Sequence, residues 1–597
     1  MPSVLVAAAF NLSGPGRYLH WSILTVSVAN LVLIVAMVVI FGLALVLPFP
    51  AGGDEAGPGR PEDQGPQAGL PASPEADPAM WTARLRRWAL SLLPPGKLLP
   101  DRQPAYVASW VYVFGVATLA ALGLAVASGV AIALGGTDWW HTNPVGHFFN
   151  SLHLWSVELF MAFMVIHLWG KFWMAAWRGR RGRTWVTGVV AFLASVLECF
   201  TGYLSQQNFD SQWISTNGKD AINATGLGGF FNLMNFGQML LWHVVLVPLV
   251  LVAVVGAHVL LVRVRGVVPP LEGPRHGPGA GRPPSPEGEW RGPTRRYDIV
   301  KEGALATVVS AAVVVALAGL LSSPDLPPVT VASWAKLAPA DFMATAASEL
   351  AGTSETANYG PPYNHGSANV QRIGVSWQSL AGVRLPVDPA QAFVLSPLAK
   401  LAPTDPALDR ALERYRAAPP ALQREWAKRY LAALAHVAFR GGTPVVPPSA
   451  SGPVPTLVAS ELSLARSGGL DADLLAQQPF YGTNLTKPLL FMEDGSYFAS
   501  QAAAQHLAGS QWGVMNETGS YPGQPWLWLY ALWYQVPHFK NSSNVDLIAI
   551  YLTGLATLAL LAVPFVPGLR DVPRLVPLHR LVWRRWYRGE AGDGGRG

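Results

Sequence analysis

Two apolar stretches of the sequence each carry a pair of histidines at nearly the same separation. His153 and His167 lie fourteen positions apart, and His243 and His258 lie fifteen apart. At ~100° per residue both offsets return to within ~60° of the same helix face, and a rise of ~1.5 Å per residue separates the members of a pair by ~21–23 Å. Each stretch therefore presents one imidazole near either end of a membrane-length helix.

The chemistry that suits these residues is ligation of haem iron. A single buried histidine could equally hydrogen-bond to a neighbouring carbonyl, but ionisable side chains at membrane depth are costly and usually functional. If the two helices pack together, His153 pairs with His243 at one haem and His167 with His258 at another. The spacing therefore predicts two haems stacked across a membrane, which would form a path for electrons.

Two further apolar stretches repeat the interval with glycine. Gly115 and Gly129 lie fourteen positions apart, as do Gly188 and Gly202. A residue without a side chain lets a flat macrocycle approach the backbone. Ordinary helix packing through small residues is the alternative reason for glycine in membrane helices. Because the interval matches that of the histidines, we predict that these four glycines border the haems.

The composition is that of a membrane protein. The chain has 597 residues, of which 51% are hydrophobic and 13% charged, with a mean hydropathy of +0.27, values that soluble enzymes rarely show. Cys199 is the only cysteine, which excludes an intrachain disulfide, a Cys-x-x-Cys-His haem attachment and a cysteine-ligated iron–sulfur cluster. The net charge of +6 comes without an aromatic-interleaved basic stripe, so no nucleic-acid partner is expected.

Seven apolar segments are long enough to cross a bilayer. They cover residues 21–48, 106–135, 148–175, 184–204, 237–264, 303–322 and 546–566. Basic residues cluster from Arg178 to Arg183, at Arg263 and Arg265, and in the tail from Arg580 to Arg588. Cytoplasmic loops carry an excess of positive charge, so these three regions are predicted to be cytoplasmic. The N-terminus, His153, His243 and residues 323–545 then lie toward the outside.

The predicted fold class is an all-α membrane protein with about seven transmembrane helices, including a four-helix two-haem bundle, plus a mainly helical extracytoplasmic domain. Its predicted parts are an extra N-terminal transmembrane helix (1–49), a cytoplasmic linker with an amphipathic segment (50–105), the four-helix core (106–265), a second cytoplasmic linker (266–300), a transmembrane helix (301–322), the extracytoplasmic domain (323–545), and the last transmembrane helix with a basic cytoplasmic tail (546–597). Residues 50–80 are predicted to be a loop, residues 84–88 a basic interfacial helix, and residues 407–417 and 421–439 a helical hairpin split at Pro419-Pro420.

Taken together, these features resemble the cytochrome b of quinol-oxidising bc-type complexes, most closely its photosynthetic branch. The resemblance covers residues 100–325 and, more weakly, 520–580. It is carried by the two histidine intervals, by Pro248 five residues after His243, and by the stretches Thr184-Trp-Val-Thr-Gly-Val-Val190, Gly202-Tyr-Leu204 with Trp213, Tyr297-Asp298 with Lys301-Glu302, Tyr530-Ala531 through Pro537, and Val563-Pro-Phe-Val-Pro567.

The resemblance implies a function and its components. The expected cofactors are two non-covalently bound haem b groups, and the expected activity is electron transfer between quinol or quinone and partner redox proteins of a respiratory complex. The expected partners are membrane lipid, a Rieske iron–sulfur protein, c-type cytochrome subunits and a second copy of the chain. The expected location is the cytoplasmic membrane of a bacterium.

The chain departs from the family at its outer quinone site and beside the haem propionates. Where the family has Pro-Glu-Trp-Tyr, this chain has Pro522-Gly-Gln-Pro525, so the glutamate that accepts a quinol proton is absent. Neither glycine nor glutamine can act as a general base, which leaves Glu198 or Asp210 as substitutes. Asn150 and Gln238 stand near the positions of the family's propionate-binding arginines, and Lys171 is expected to compensate in part for their loss.

Three functions compete on these grounds. The first is a two-haem cytochrome b that exchanges electrons with quinone. The second is a haem-binding membrane scaffold that recruits partners without oxidising quinol at the outer site. A ferric or cytochrome reductase of another two-haem fold is a weaker third, because the four glycines and the Trp-Val-Thr-Gly stretch argue against it.

Overall fold

The computed structural model describes residues 14–49, 99–271, 293–440, 443–447, 449–478, 482–507, 518–523 and 527–588, with isolated positions at 12, 290 and within 81–90. The loop predicted at residues 50–80 lies outside the described residues. Of the interfacial helix predicted at residues 84–88, Arg84, Leu85 and Trp88 are described, and they are helical and exposed.

Seven helices of the described part are long and apolar enough to cross a membrane, which confirms the predicted number. They are α1 (Val28–Val46), α2 (Phe114–Gly135), α3 (Pro144–Trp173), α4 (Gly182–Leu204), α5 (Phe236–Arg265), α6 (Ile299–Leu321) and α7 (Val545–Ala562). Short 3₁₀ turns lead into α2 at Trp110–Tyr112 and into α4 at Gly179–Arg181. The predicted class of an all-α membrane protein is confirmed.

The first span begins later than predicted. Residues 21–27, expected to be helical, belong instead to a β-hairpin of Tyr18–Trp21 and Leu24–Ser27. The hairpin turns at Ser22, which has a positive φ of 55°, and two-residue hairpin turns require such a conformation. Ser27 then caps α1 by accepting a hydrogen bond from Asn30 N–H. A local turn and a helix cap thus override the apolar composition of this segment.

Two other predicted boundaries were wrong. The third span starts at Pro144, before the predicted residue 148, because Asn143 accepts hydrogen bonds from the backbone of Val145 and Gly146 and proline suits the first helical position. The second helix of the predicted hairpin covers Pro420–Leu434 and does not reach residue 439. Residues 438–440 form a strand that pairs with Thr443–Val445.

The membrane helices pack as neighbouring pairs. Helix α2 lies against α3, and α4 lies against α5; α6 packs on α2 and α3, and α7 contacts α4. The two histidine-bearing helices, α3 and α5, therefore belong to different pairs, and their side chains can face one another across the bundle.

The region between α6 and α7 is mainly helical. Its helices are Val331–Leu337, Pro339–Ala351, Glu355–Asn358, Trp377–Ala381, Ala390–Leu395 (a π-helix), Ser396–Leu401, Ala402–Thr404 (3₁₀), Pro406–Ala417, Pro420–Leu434, Val454–Arg466, Gly469–Ala476, Thr486–Glu493, Tyr497–Ala504, Trp528–Leu532, Trp533–Gln535 (3₁₀) and Pro537–Lys540. Trp334, Phe342, Phe393 and Phe491 are fully buried at its centre. These rings contact one another edge to face or at a tilt, so aromatic packing joins distant segments.

This helical domain sits on the end of the bundle that carries His153 and His243. Phe209 N–H, just after α4, donates to Leu326 O at 3.0 Å, and Leu485 N–H donates to Met234 O at 2.9 Å. Residues 209–224 form a helix between α4 and α5 that joins the domain's core. The N-terminal hairpin lies at the same end, because Thr25 N–H donates to Gln535 Oε1 at 3.1 Å.

The C-terminal tail and the basic loops lie at the opposite end. Its short helices are Val572–Leu575, His579–Val582 and Arg584–Tyr587. Trp583 Nε1 donates to the hydroxyl of Tyr112, which precedes α2, at 2.7 Å. Arg178, which follows α3, donates to Pro269 O at 2.7 Å, and the strands Arg102–Pro104 and Thr294–Arg296 pair nearby. One end of the molecule is therefore basic and the other carries the helical domain.

Because three carboxyl groups are buried in the helical domain, we expect this domain to be more stable at acidic pH. Glu349, Glu461 and Asp494 have pKa values raised by burial, and neither carboxyl oxygen of Glu461 has a hydrogen-bond partner among the described residues. Their raised pKa makes stability greatest below the unfolded pKa and lower as pH rises, by about 1.4 kcal/mol per pH unit for each carboxyl that stays protonated.

We expect Glu461→Gln to reduce this pH dependence, because glutamine cannot ionise. Hydrogen exchange of helix Val454–Arg466 at pH 5 and pH 7, corrected for intrinsic rates, measures the opening free energy. The exposed Glu413→Gln is the control and should keep the wild-type dependence. Equal pH dependence in Glu461→Gln and wild type would contradict the prediction.

Candidate functional site

The structure brings the rings of His153 and His243 close together. The first lies on α3 and the second on α5, and their ring centroids are 6.1 Å apart with planes inclined at 78°. Two metal–imidazole bonds of about 2.0–2.1 Å each would take up about 4 Å of that separation. The remaining length is what the two half-rings need, so the pair fits a single metal ion between the imidazoles.

Hydrogen bonds orient both rings of this outer pair. His153 Nδ1 donates to Ala125 O at 2.9 Å and lies 3.1 Å from Ser128 Oγ. His243 Nδ1 donates to Glu198 O at 3.0 Å. A backbone partner at Nδ1 fixes the tautomer whose Nε2 lone pair is free. Each ring is thus held by Nδ1, in the tautomer that a metal ligand at Nε2 would require.

The inner pair, His167 and His258, follows the same plan in part. His258 Nδ1 lies 3.2 Å from Thr187 Oγ1, and the Thr184 backbone is a second hydrogen-bond partner. His167 Nδ1 is buried and has no hydrogen-bond partner within the described residues. Both rings line one cavity, so the structure places them at the same end of the bundle.

Each predicted glycine lies against one of the four histidines. A Cβ atom at Gly115 would be 3.0 Å from His167 Cε1, and one at Gly129 would be 3.1 Å from His153 Cε1. The corresponding distances are 2.9 Å from Gly188 to His258 and 2.4 Å from Gly202 to His243. Each glycine therefore gives room to an imidazole, and its position beside a haem stays a prediction.

The acceptor carbonyls show why glycine is needed there. Ala125, Glu198 and Thr184 each precede their glycine by four residues on the same helix. A side chain at the glycine position would push the ring off that carbonyl. The glycine thus admits the imidazole and the carbonyl one turn earlier orients it.

We expect Gly202→Ala to lower haem occupancy at the outer pair. The added Cβ would sit 2.4 Å from His243 Cε1, closer than carbon atoms approach, so the ring or helix α4 must shift. Gly123→Ala is the matched control, because a Cβ there meets nothing within 4 Å. Haem content per chain and the absorption bands of the reduced protein measure the effect. Normal spectra in Gly202→Ala would argue against a ligand role for His243.

A π-helix explains why the two histidine intervals differ by one residue. Helix α5 contains a π-helical segment at Trp242–Leu246, which includes His243. Pro248 has no backbone N–H, so it cannot continue the α-helical hydrogen bonds, and the wider turn accommodates it by inserting one residue. The fifteen-residue interval of His243 and His258 therefore covers about the same length of helix axis as the fourteen-residue interval of His153 and His167. Both pairs can therefore lie at matching depths.

A cavity of about 1090 Å³ surrounds the inner pair. It is lined by His167, His258, Gly115 and Gly188, and cationic residues stand around it: Lys171, Arg181, Arg263, Arg295, Arg296 and Lys301. Lys171 Nζ lies 4.7 Å from the centroid of the Tyr112 ring. Asp298 and Glu302 also line the cavity, so its six cationic residues outnumber two acidic ones. A largely apolar cavity with an excess of positive charge suits an apolar ring system that carries carboxylates.

The donor set fits haem better than a bare metal ion. No group of three or more His, Cys, Asp or Glu side chains able to hold a metal ion occurs within the described residues. Structural and catalytic zinc sites need three or four protein ligands. Haem iron needs only one ligand from each side of the macrocycle, which is what each histidine pair offers.

The residues considered for the outer quinone site are largely engaged in the fold. Gly523 N–H donates to Asn30 Oδ1 at 2.7 Å, while Gln524 and Pro525 lie outside the described residues. Both carboxyl oxygens of Asp210 accept hydrogen bonds from Thr518 at 2.9 Å, and burial raises the pKa of Asp210 to about 7.

Glu198 has a different position from Asp210. Its Oε1 atom lies 3.2 Å from His243 Nδ1, so the carboxyl group lies beside the His243 ring. A carboxylate there can orient the imidazole. The amide of Gln238 holds its own loop, accepting from Asn232 N–H at 2.6 Å and donating to Phe230 O at 2.8 Å, whereas Asn150 is buried.

Sequence reasoning missed a chain of titratable groups at the start of α7. The Tyr530 and Tyr534 hydroxyl groups are 2.7 Å apart, and Tyr534 donates to Asp546. Gln371 of the helical domain donates to the other oxygen of the same carboxylate. The only sequence signal was an acidic residue inside the first turn of an apolar helix, which more often marks a favourable helix dipole.

The sequence comparisons match the membrane core. The family model described as cytochrome b (N-terminal)/b6/petB matches residues 158–328. The cytochrome b subunit of the cytochrome bc complex of Chlorobaculum thiosulfatiphilum is 30% identical over 139 residues, covering 21% of this chain and 32% of that protein. Cytochrome b6 of Heliomicrobium gestii is 29% identical over 143 residues, covering 22% and 67%. The match thus spans about a third of the first relative's length.

Two further proteins are similar. The menaquinol:cytochrome c reductase cytochrome b subunit of Geobacillus thermodenitrificans is 24% identical over 138 residues, covering 21% of this chain and 62% of that protein. A chain of the solved hyperthermophilic respiratory Complex III aligns over 71% of this chain and 97% of its own length, at 17% identity and a TM-score of 0.29, a score too low for the two folds to be equated.

Proposed function

In its membrane core this chain is a divergent cytochrome b, and from that premise we propose that it is the di-haem, electron-transferring subunit of a respiratory bc-type complex. Bound haem supplies one-electron oxidation and reduction. The proposed ligands are His153 with His243 and His167 with His258. Gly115, Gly129, Gly188, Gly202 and Lys171 are the proposed residues that border the haems.

One observation carries this proposal: each of four half-buried imidazoles faces a glycine, and three of them have a hydrogen-bond partner at Nδ1. A histidine that only satisfied its own polarity would not need a glycine beside its ring. The chain's contribution is to orient the ligands before a cofactor binds, and to exclude water with apolar helices.

Quinone is the proposed substrate at the inner end. The inner cavity of about 1090 Å³ is at the upper limit of ordinary small-molecule sites, which occupy about 300–1,000 Å³. Its room beyond the inner histidines supports exchange of electrons with a bound quinone. A Rieske protein, c-type cytochrome subunits and a second copy of the chain are the proposed partners, which the encoding gene neighbourhood would help to identify.

The basic end of this multi-pass membrane protein is proposed to face the cytoplasm. The segment from Arg178 to Arg183, the pair Arg263 and Arg265, and the C-terminal tail all lie at that end, and the positive-inside rule applies to such short segments. The helical domain and the N-terminal hairpin then lie outside, in the cytoplasmic membrane of a bacterium.

A haem-binding scaffold without its own outer-site quinol oxidation is the second candidate. The absence of the expected glutamate and the engagement of Asp210 by Thr518 favour it. Both candidates bind haem, so they differ only in whether quinol delivers electrons at the outer end.

A redox-titrated absorption spectrum of the purified protein tests the proposal. We expect two b-type haems per chain that titrate as separate one-electron components, because the two histidine pairs differ in surroundings. The inner pair lies near Lys171 and a basic surface, which favours the reduced, less positive iron. A single haem, or none, would contradict the assignment of two ligand pairs.

A further inference from the structure

A loop of the helical domain runs down the side of α7, past the first residue of that helix. Arg372 N–H donates to Asn544 Oδ1 at 2.7 Å, and Leu547 N–H donates to Gln371 Oε1 at 3.2 Å. Trp377 Nε1 then donates to the hydroxyl of Tyr551 at 2.7 Å. Tyr551 lies six residues inside α7, about 9 Å along the helix axis. The loop therefore extends below the start of the span.

This loop carries large apolar side chains that the rest of the protein leaves uncovered. Leu380 is 73% exposed, Val375 50%, Trp377 43% and Ile373 39%. Beside them, in the loop before α5, Phe230 is 63% and Leu227 56% exposed. We call these six residues the apolar ledge. Clustered apolar exposure of this kind marks an interaction surface.

The outward orientation of the ledge is built into the backbone. Gly374 has a positive φ of 73°, and Val375 N–H donates to Ile373 O at 2.9 Å, which closes a tight turn. Ser376 then caps the short helix Trp377–Ala381 by accepting from Ser379 N–H. The neighbouring loop is pressed against this helix, because a Cβ at Gly226 would lie 2.7 Å from Trp377 O. The ledge is thus one continuous surface.

Arginines border the ledge on both sides. Arg372 and Arg384 are exposed, and the Arg384 guanidinium lies 5.6 Å from the Phe230 ring. Arginine beside exposed aliphatic and tryptophan side chains is typical of segments that lie in a membrane interface, with the cation at the phosphate level. Tryptophan is itself enriched at that depth.

We propose that the apolar ledge is inserted into the lipid leaflet beside α7 and anchors the helical domain to the membrane. The occupant is phospholipid because the ledge continues the outer surface of α7, where Leu555 and Leu558 are 64% and 63% exposed. Hydrogen bonds to Asn544 and Tyr551 hold it against that helix. The anchor needs neither haem nor quinone, so it stands apart from the proposed electron transfer.

Nitroxide labels on the whole protein in phosphatidylcholine vesicles test the anchor. Cys199 is the only cysteine, so Cys199→Ala provides a background for single sites. Leu380→Cys and, independently, Val375→Cys report on the ledge. Leu555→Cys reports on lipid-facing α7, and Glu413→Cys reports on the charged, exposed face of a domain helix. Collision rates with oxygen, which concentrates in lipid, and with a water-soluble nickel chelate are compared.

We expect the oxygen-to-nickel ratio at both ledge positions to be severalfold above that at Glu413→Cys and close to that at Leu555→Cys. A ratio equal to that at Glu413→Cys would show the ledge in water and overturn the proposal. Low collision rates with both reagents would show the ledge covered by protein, such as a partner subunit, and would overturn it equally. An unchanged absorption spectrum confirms that each labelled variant keeps its fold.

Discussion

Replacing His153 with alanine should remove about half of the haem that the purified protein carries, because one of two proposed ligand pairs is lost. The outer pair is separated from the inner pair by about 21 Å of helix, so the inner haem should stay bound with its own spectrum. The same result is expected for His243→Ala, and the complementary loss for His167→Ala or His258→Ala.

The control for these variants is His365→Ala, since His365 is exposed in the helical domain and far in sequence from the bundle. It should keep the wild-type haem content. Haem per chain and the reduced absorption spectrum are the measurements. If any one of the four variants retained two haems with unchanged spectra, the pairing of ligands would be wrong.

Much of the candidate site could be predicted from the sequence because its parts repeat with helical periodicity. The intervals of the histidines and glycines depend only on rise and rotation per residue, so they are visible without a structure. The π-helix at Trp242–Leu246 was not predicted, because a single inserted residue does not change the periodic pattern of apolar residues in the sequence. The acceptor carbonyls of Ala125, Glu198 and Thr184 were not predicted either, because every residue has a backbone carbonyl and only packing determines which ones contact a histidine.

The helical domain was much less predictable than the bundle. Only its hairpin of Pro406–Ala417 and Pro420–Leu434 showed a clear amphipathic pattern. The core is built from Trp334, Phe342 and Phe491, which come from segments about 150 residues apart, and such contacts have no local signature. The predicted start of α1 was wrong for the opposite reason, because a local turn and a helix cap determine where the helix begins within a strongly apolar segment.

The outer end of the bundle should be slow at oxidising quinol. A quinol that loses electrons must also lose protons, and a titratable group within hydrogen-bond reach of its hydroxyl is needed to take them. Here the backbone of Gly523 donates to Asn30, and no carboxylate stands where the resemblance expects one. A general base contributes about 10²–10⁴-fold in rate, so a loss of that order is expected if nothing replaces it.

Three carboxylates toward this end are poorly placed to replace it. Asp210 has a pKa of about 7, which suits a base, but Thr518 hydrogen-bonds to both of its oxygens and it is only 1% exposed. The carboxyl group of Glu198 contacts Nδ1 of His243, so it is engaged in orienting that ring. Asp546 accepts hydrogen bonds from Tyr534 and Gln371, and the Tyr530 and Tyr534 hydroxyls offer a proton path to it.

We therefore expect quinol to reduce the haems mainly from the basic end, through the inner cavity. Rapid-mixing absorption measurements with quinol should show reduction that an inhibitor of outer-site quinol oxidation hardly slows. Substituting Asp546→Asn should then have little effect on the rate. Fast haem reduction that such an inhibitor abolishes would contradict the prediction. In that case, a slowing of about 10²–10⁴-fold in Asp546→Asn would identify Tyr530, Tyr534 and Asp546 as the groups that accept the proton. If Asp546→Asn left that fast rate unchanged, Glu198, Asp210 or a partner subunit would have to accept the proton.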